Sequence, residues 1–550
     1  MQQTKHFEYW PPLLTKTITV PETTLYENLR ISAQRYPNKV AIEYYGRALT
    51  YRQFIEEVDT LAAFMATHWK LKRGENVMLF MQNAPQYLIA LYAILRNRAV
   101  AVPINPMSKT PELQFYLQDG DIHHACISQE LYPIAEVFVG DGQLENPIIA
   151  TYRDYIEEEK AVSALPDIVK EPCKRFPHTI PWQEALQRAS TLLDDTGEND
   201  DVAMIPYTSG TTGEPKGCVH TNRTIQANVV GAAHWMSMTS DTVALATLPL
   251  FHVTGLVHSG FAPLYAGGTI VLLTRWDKGY AARAIETYRC TNWINISTMV
   301  IDFLSQSNIY DYDLSSLLII GGGGATMPEA VGERLYEVTG LRYVEGYGLS
   351  ETMSHTHFNP PERPKLQCLG IPAFGVDARV RHVETGEWLG IGEEGELLVH
   401  APQMLIEYYN RPDDDSFVMI DGKRFFKTGD IVKVDEDGYF FMVDRVKRMI
   451  NASGYKVWPS EVESILFGHP AVRQACVVRS YDEKRGETVK ALIILKEDYK
   501  GKVTAEELID WSKQQMSAYK YPREIEFWEE FPMTSSGKVL WRQLQDKIGE

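Results

Sequence analysis

Short apolar runs alternate with amphipathic helices through the first part of this chain, and that rhythm leaves few ways to bury it. "NVMLFM" (Asn76 to Met81) reads as a buried strand, "APQYLIALYAIL" as a helix, and "AVAVPIN" and "HACIS" as the next strands. Strand–helix–strand order at this spacing implies parallel βαβ units in a doubly wound α/β sheet. Thr50-Tyr-Arg-Gln53 predicts a capping box, after which Phe54, Val58, Leu61 and Met65 recur at helical spacing. Pro85 falls near the first turn of its helix, where a missing N–H costs little.

Further along the rhythm breaks and resumes. Residues 150 to 200 are polar and end in "DDTGENDD", which predicts a surface excursion or subdomain boundary. From about 202 to 360 the α/β order returns. "LLIIGGGGATMPEAVGERLYEV" predicts a strand, a glycine run and a helix with Pro328 in its first turn. It fails the dinucleotide fingerprint, because Thr326 stands at the last glycine position when the count starts at Gly321. The glycines are expected to let something flat approach the backbone. From about 370 to 440, short β-runs broken by Gly and Asp turns predict a β-rich subdomain, followed by a compact α+β tail with "ACVVRS" and "VKALIIL" as strands.

At 550 residues the chain suggests two to four units, and 44% apolar residues support a full core. A net charge of −18 argues against nucleic acid as a partner, which needs a basic footprint. Six scattered cysteines without a CxxC pair fit free thiols in a reducing compartment. The N-terminus lacks a signal pattern and no run approaches 18 apolar residues, so a cytoplasmic protein without a transmembrane segment is expected. Peripheral membrane contact stays open.

The most chemical stretch is "YTSGTTGEPKG" (Tyr207 to Gly217), which follows "VAMIP". Aligning Lys216 with the lysine of a Walker A loop puts Pro215 at its last glycine and Gly217 where a Ser or Thr should bind metal. Proline has no N–H to offer a phosphate, so this is not a P-loop. It remains either a solvated turn or a loop whose amides and hydroxyls wrap a polyphosphate.

Six motifs in order decide between these. YTSGTTGEPKG, "PLFHVTG" (Pro249 to Gly255), "GYGLSET" (Gly346 to Thr352), "KTGD" (Lys427 to Asp430), "DRVKRMINASGYKVWPSEVE" and "TSSGKVL" (Thr534 to Leu540) resemble those of AMP-forming acyl-CoA synthetases. These belong to the adenylate-forming superfamily, with firefly luciferase and peptide-synthetase adenylation domains. The resemblance covers nearly the whole chain. It implies a large N-terminal domain, 1–444, and a small mobile α+β C-terminal domain, 445–550. It also implies two half-reactions: a carboxylate attacks the α-phosphorus of ATP to give acyl-AMP, then coenzyme A thiolate displaces AMP. Neither step needs a protein nucleophile, which agrees with a chain lacking G-x-S-x-G and H-E-x-x-H.

The resemblance assigns roles by position. Thr208, Ser209, Gly210, Thr211, Thr212 and Gly213 would hold the β- and γ-phosphates, with Lys216 adding charge. Glu351, with Thr208, would hold Mg²⁺, a hard cation that takes oxygen ligands. Tyr347 would stack on adenine beside Gly324 and Ala325, and Glu345, Gly346, Gly348 and Thr352 complete the nucleotide set. Asp430 and Arg445 suit the ribose hydroxyls. His252 would face the carboxylate or phosphoryl group; taken alone it reads as a core histidine on an apolar strand. Lys538 would meet the charge that builds on the phosphates. Gly454 and Tyr455 would line the coenzyme A path, and Lys447 would be the hinge of the C-terminal domain.

The acid is harder to read. Phe251-His-Val-Thr254 carries no aspartate where amino-acid-activating relatives have one, which disfavours an α-amino acid. Pocket positions implied by analogy are Trp235, His252, Val253 and Ser297, with Met299, Gly323, Met353 and Thr356. They are mostly apolar or small and favour a medium- or long-chain fatty acid. An aryl or arylpropenoic acid, or a short polar acid, is the alternative. Delivery to a carrier protein in place of free coenzyme A, a non-catalytic nucleotide- or acyl-binding protein, and a homodimer all remain open at this level.

Overall fold

The computed structural model describes residues 4–187, 197–208, 215–412, 414–452, 455–482, 486–533 and 539–549. Among these the strands form four sheets. A seven-stranded sheet runs Ile180–Pro181, Ile148–Ala150, His124–Ser128, Asn76–Phe80, Val100–Pro103, Val202–Met204, His220–Thr221; its pairs are parallel except the last. A nine-stranded sheet has six parallel strands at its centre, from Val344–Leu349 through Ile319–Gly323, Asn292–Asn295, Val243–Ala246 and Thr269–Leu272 to Val40–Tyr44. The βαβ expectation is met, with one difference. The hairpin Val40–Thr50 leaves its sequence neighbours and pairs with Thr269–Leu272.

Local rules explain the helices. Thr24 and Thr50 each close a full capping box, and Pro85 opens a helix, Pro85–Arg96, that is buried all round. Such a helix needs apolar neighbours on every side, and it has them in one core shared with Val77, Leu79, Leu245 and Ile270 from the two large sheets. Pro328 is the N-cap of Glu329–Thr339, one residue before the helix rather than in its first turn.

Residues 377–445 form an antiparallel five-stranded sheet over its own core, including Leu397, Val399, Val432 and Phe440. Another five-stranded sheet, of residues 450–527, has both faces covered: Ala475 and Val477 pack on one side, Cys476 and Val478 on the other. This explains the unbroken apolar run "ACVV". No described helix is long and apolar enough to cross a membrane.

The glycine run departs from expectation. A Cβ on Gly321, Gly322 or Gly323 would lie 2.4, 1.8 or 2.3 Å from a backbone oxygen of the neighbouring strands. These three glycines serve close strand packing. Gly324 differs: it is exposed with φ +85°, where the chain turns out of the sheet.

Candidate active site

In open α/β sheets ligands bind beyond the carboxyl ends of parallel strands. Both large sheets send the predicted residues there: Tyr207 and Thr208 follow Val202–Met204, His252 follows Val243–Ala246, Ser297 follows Asn292–Asn295, and Gly324 follows Ile319–Gly323.

The ribose candidates lie directly across an antiparallel pair, Asp430 on Lys423–Val434 opposite Arg445 on Phe440–Arg445. Gly429, at φ +70°, and the register shift after Ile431 bulge this strand. Asp430 is fully buried and is held by Arg445 at 2.5 Å and by the Tyr347 hydroxyl at 2.5 Å. Thr428 steadies the bulge, its hydroxyl donating to Leu397 O at 2.8 Å and accepting from Asp430 N at 3.1 Å. Tyr347 is therefore tethered at its hydroxyl end, with its ring edge-on to His357 at 5.8 Å.

The phosphate candidates Ser209 to Gly213 lie outside the described residues, but Thr208 and Lys216 on either side of them are described. Thr208 N donates to Lys216 O at 2.9 Å, and Lys216 N donates to the Thr208 hydroxyl at 3.1 Å. Lys216 Nζ pairs with Asp414 at 2.5 Å and sits 4.8 Å from the centre of the Tyr408 ring. The Tyr408 hydroxyl donates to Glu351 at 2.7 Å. Lys216, Tyr408 and Glu351 thus adjoin. Loss of hydration pushes the Glu351 carboxyl up from its ordinary range, against the pull of the Tyr408 bond. Burial disfavours the negative charge of this carboxylate in the absence of a counter-ion, which a hard divalent cation would supply, and its oxygen donors suit Mg²⁺.

Glu351 sits on a strained turn. Met353 and Ser354 have φ of 46° and 103°, a conformation that side chains rarely adopt. Asn228 Nδ2 donates to Thr352 O and Met353 O at 2.8 and 2.9 Å, and the Thr352 hydroxyl donates to Ser354 O at 2.8 Å. His220 Nε2 donates to Ser350 O at 2.8 Å, and burial lowers its pKa to about 4. Thr352 is therefore a pin of this turn. Sequence reasoning missed His220, Asn228 and Tyr408. For the first two there was a signal: His220, Thr224 and Asn228 are polar and spaced by four, the last two on one face of the helix Asn222–Trp235.

Glu345 is buried with its carboxylate accepting from Met327 N at 3.2 Å and Gln367 N at 2.8 Å, and burial raises its pKa to about 7. It ties down the loop that carries Gly324 and Ala325. Gly346 and Gly348 allow close packing, since a Cβ would meet Phe358 at 2.7 Å or Ser354 O at 1.7 Å.

On the acyl side Val253 and Met353 are buried in the main core and Met299 packs against it. Ser297 and Thr356 are buried, the Thr356 hydroxyl lying 3.0 Å from His357 Nδ1. Trp235 sits in an aromatic cluster with Trp10, Phe358 and Phe374, its indole N–H donating to Asn359 O at 3.0 Å. His252 is exposed and N-caps the short helix Val253–Gly255, so it is neither on a strand nor in the core.

At the junction with the last sheet, Lys447 is exposed within the 3-10 turn Val446–Arg448. Buried Asp444 accepts from Ser460 N at 2.7 Å, and Arg448 pairs with Glu463. Gly454 and Lys538 lie outside the described residues, as does the side chain of Tyr455.

Comparison with known proteins agrees with this architecture. Residues 29–409 match the family described as AMP-binding enzyme, and 461–538 match the AMP-binding enzyme C-terminal domain. A long-chain-fatty-acid–CoA ligase of Bacillus subtilis (strain 168) is 32% identical over 98% of this chain and 97% of its own length. A feruloyl-CoA synthase of Amycolatopsis sp is 30% identical over 94% of this chain and 97% of its own. The o-succinylbenzoate CoA synthetase of Bacillus subtilis, solved with its acyl-adenylate intermediate, is 26% identical with a TM-score of 0.79, covering 96% of this chain and 99% of that one. The chain belongs to the AMP-binding enzyme family. Within it, the chain is an AMP-forming acid–thiol ligase of the acyl-CoA synthetase type, which activates a carboxylic acid with ATP.

Proposed function

We propose that the acid is a medium- or long-chain fatty acid, activated as acyl-AMP and transferred to coenzyme A. The observation that carries this reading is the acyl side, where Val253, Leu256, Val257 and Met353 are buried together. Full-length similarity to a long-chain-fatty-acid–CoA ligase supports it. Each buried CH₂ is worth about 0.8 kcal/mol, so kcat/KM should rise about fourfold per added carbon until the pocket ends. ATP–pyrophosphate exchange and acyl-CoA formation across an alkanoate series measure this; a flat series with selection for an aromatic ring overturns it. The aryl reading keeps one specific support, the Trp10–Trp235–Phe374 cluster beside the predicted pocket, together with similarity to a feruloyl-CoA synthase.

In the proposed mechanism Lys216 exchanges Asp414 for the phosphates that Thr208 to Gly213 surround. Tyr347, Gly324 and Ala325 take adenine, and Asp430 and Arg445 take the ribose. Glu351 and Thr208 hold Mg²⁺, which supplies charge neutralisation at the phosphates. His252, at the exposed end of the acyl side, orients the carboxylate. Lys538 stabilises the charge that develops at the α-phosphate, so catalysis rests on position and electrostatics.

The parts before and after Lys447 act as two bodies in this scheme, and Arg445, at the end of the strand Phe440–Arg445, stays with the first. Lys538 serves adenylation and Gly454 and Tyr455 serve thiolation, so the second body turns about Lys447 between steps. That turn breaks the bond from Ser460 N to Asp444, while the Arg448–Glu463 pair travels with the second body.

A further inference from the structure

Four polar side chains inside the acyl side take no part in the mechanism above. Asn228, His258, Ser354 and His355 are 0, 2, 3 and 4% exposed. They come from three elements: the helix Asn222–Trp235, the π-helical turn Leu256–Phe261, and the strand after the Glu351 turn. The Ser354 hydroxyl lies 3.2 Å from His258 Nε2, and the two imidazole rings are 5.1 Å apart. Asn228 is tied to the same turn through Met353 O. Asn228 Oδ1, His258 Nδ1 and His355 Nδ1 are buried without a hydrogen-bond partner among the described residues.

Buried polar atoms are nearly always matched, and three unmatched ones in a single cluster call for a partner that the chain itself does not supply, an ordered water or a ligand group. A metal is a poor candidate, because no three potential metal-binding residues converge among the described residues. Both imidazoles are kept neutral by burial, so each offers one N–H and one acceptor nitrogen. The amide oxygen of Asn228 only accepts. A group that both donates and accepts satisfies such a set, and a hydroxyl does so within one atom. Its depth follows from the chain. His258 lies six residues beyond His252 along a continuous helical run, an axial rise of about 9 Å at 1.5 Å per residue. Gly231 lies beside the same ring as His355, where a Cβ would sit in ordinary contact with His355 Nε2 and Phe374 at 3.6 Å, so the helix approaches His355 to within about one methyl group.

We propose that Asn228, His258, Ser354 and His355 receive a hydroxyl carried on the acyl chain, so that the preferred acid is a hydroxy fatty acid rather than a plain alkanoate. This rests on the fatty-acyl reading. A site that hydrogen-bonds a substrate hydroxyl discriminates more strongly than an apolar pocket does.

The test compares kcat/KM for acyl-CoA formation between saturated acids and equal-length acids with a hydroxyl moved along the chain. At one mid-chain position the hydroxy acid should be favoured tenfold or more. His258→Leu and His355→Val should each lower the hydroxy-acid rate and raise the plain-acid rate, collapsing the ratio. His258→Asn, which keeps a hydrogen-bonding group, should retain part of it. A wild-type enzyme that prefers the plain acid at every position overturns the proposal, as do leucine and valine variants that turn over plain acids with the ratio unchanged. Activation of aryl acids with no fatty acid accepted, plain or hydroxylated, overturns the fatty-acyl reading itself.

Discussion

The nucleotide side and the acyl side of the site solve the burial of polar groups in opposite ways. On the nucleotide side the charges answer one another: Asp430 holds Tyr347 and Arg445, Lys216 holds Asp414, and Glu351 takes the Tyr408 hydroxyl. On the acyl side the polar groups are neutral, and three of their atoms find no partner among the described residues. The first arrangement keeps charges in place before any substrate arrives, ready for exchange, which is what electrostatic preorganisation requires. The second leaves hydrogen-bonding capacity unfilled, and unfilled capacity is what discriminates between similar acids.

The hardest test of a charge-driven nucleotide side is Lys538→Ala. Losing one transition-state donor costs about 3–4 kcal/mol, so acyl-AMP formation should fall about 10²–10³-fold. Thioester formation from supplied acyl-AMP should persist; equal loss of both half-reactions would sink the assignment. Lys447→Pro should separate the same two assays from the other direction. Proline fixes φ near −65°, so one orientation is locked, and the expected result is adenylation retained with thioester formation lowered by orders of magnitude. An unchanged ratio removes Lys447 as hinge.

Asp430→Asn probes the mutual answering of charges without touching the chemistry. Arg445 loses its counter-charge but is partly exposed, so about 2–3 kcal/mol of stability should go, less than for a fully buried pair. Denaturant unfolding measures it, and AMP affinity should fall alongside. A stable variant that still binds AMP tightly would show that Asp430 merely ornaments the strand.

The gentlest probe is acid. Burial lowers the His258 pKa to about 3, so between its unfolded value and that point the unfolded chain binds a proton that the folded chain does not. The stability of the wild type therefore contains a contribution present above about pH 6.5 and lost as pH falls toward 3, by up to about 1.4 kcal/mol per unit. His258→Leu lacks it, so the variant's stability relative to wild type should rise as pH falls. Glu345 works in the other sense, its raised pKa removing stability as pH climbs toward 7, but it is common to both proteins and cancels. A difference independent of pH would show that His258 is hydrated or already protonated.

What could be read from the sequence was what neighbours along the chain decide. The capping box at Thr50 and the helix opened by Pro85 obey rules spanning four residues, and both stand. The pairing of Val40–Tyr44 with Thr269–Leu272 joins segments more than two hundred residues apart, and no local rule reaches it. Tyr408 was invisible for the same reason, lying 57 residues from the carboxylate that it touches. The glycine run misled because a glycine needed by a ligand and one needed by the next strand look identical in sequence. Aligned motifs supplied the expected roles of Asp430 and Arg445, and register makes the two residues cross-strand neighbours.

One short turn bears on fidelity. Glu351 and Ser354 are three residues apart, and the backbone between them is strained and clamped by Asn228 and by Thr352 itself. A segment held that tightly transmits displacement rather than absorbing it. A chain that seats badly against Ser354 therefore pushes on the carboxylate proposed to hold the metal. On the two proposals above, recognition of the acid and readiness to cleave ATP would become a single event, and a wrong acid would be refused before a nucleotide is lost rather than edited afterwards.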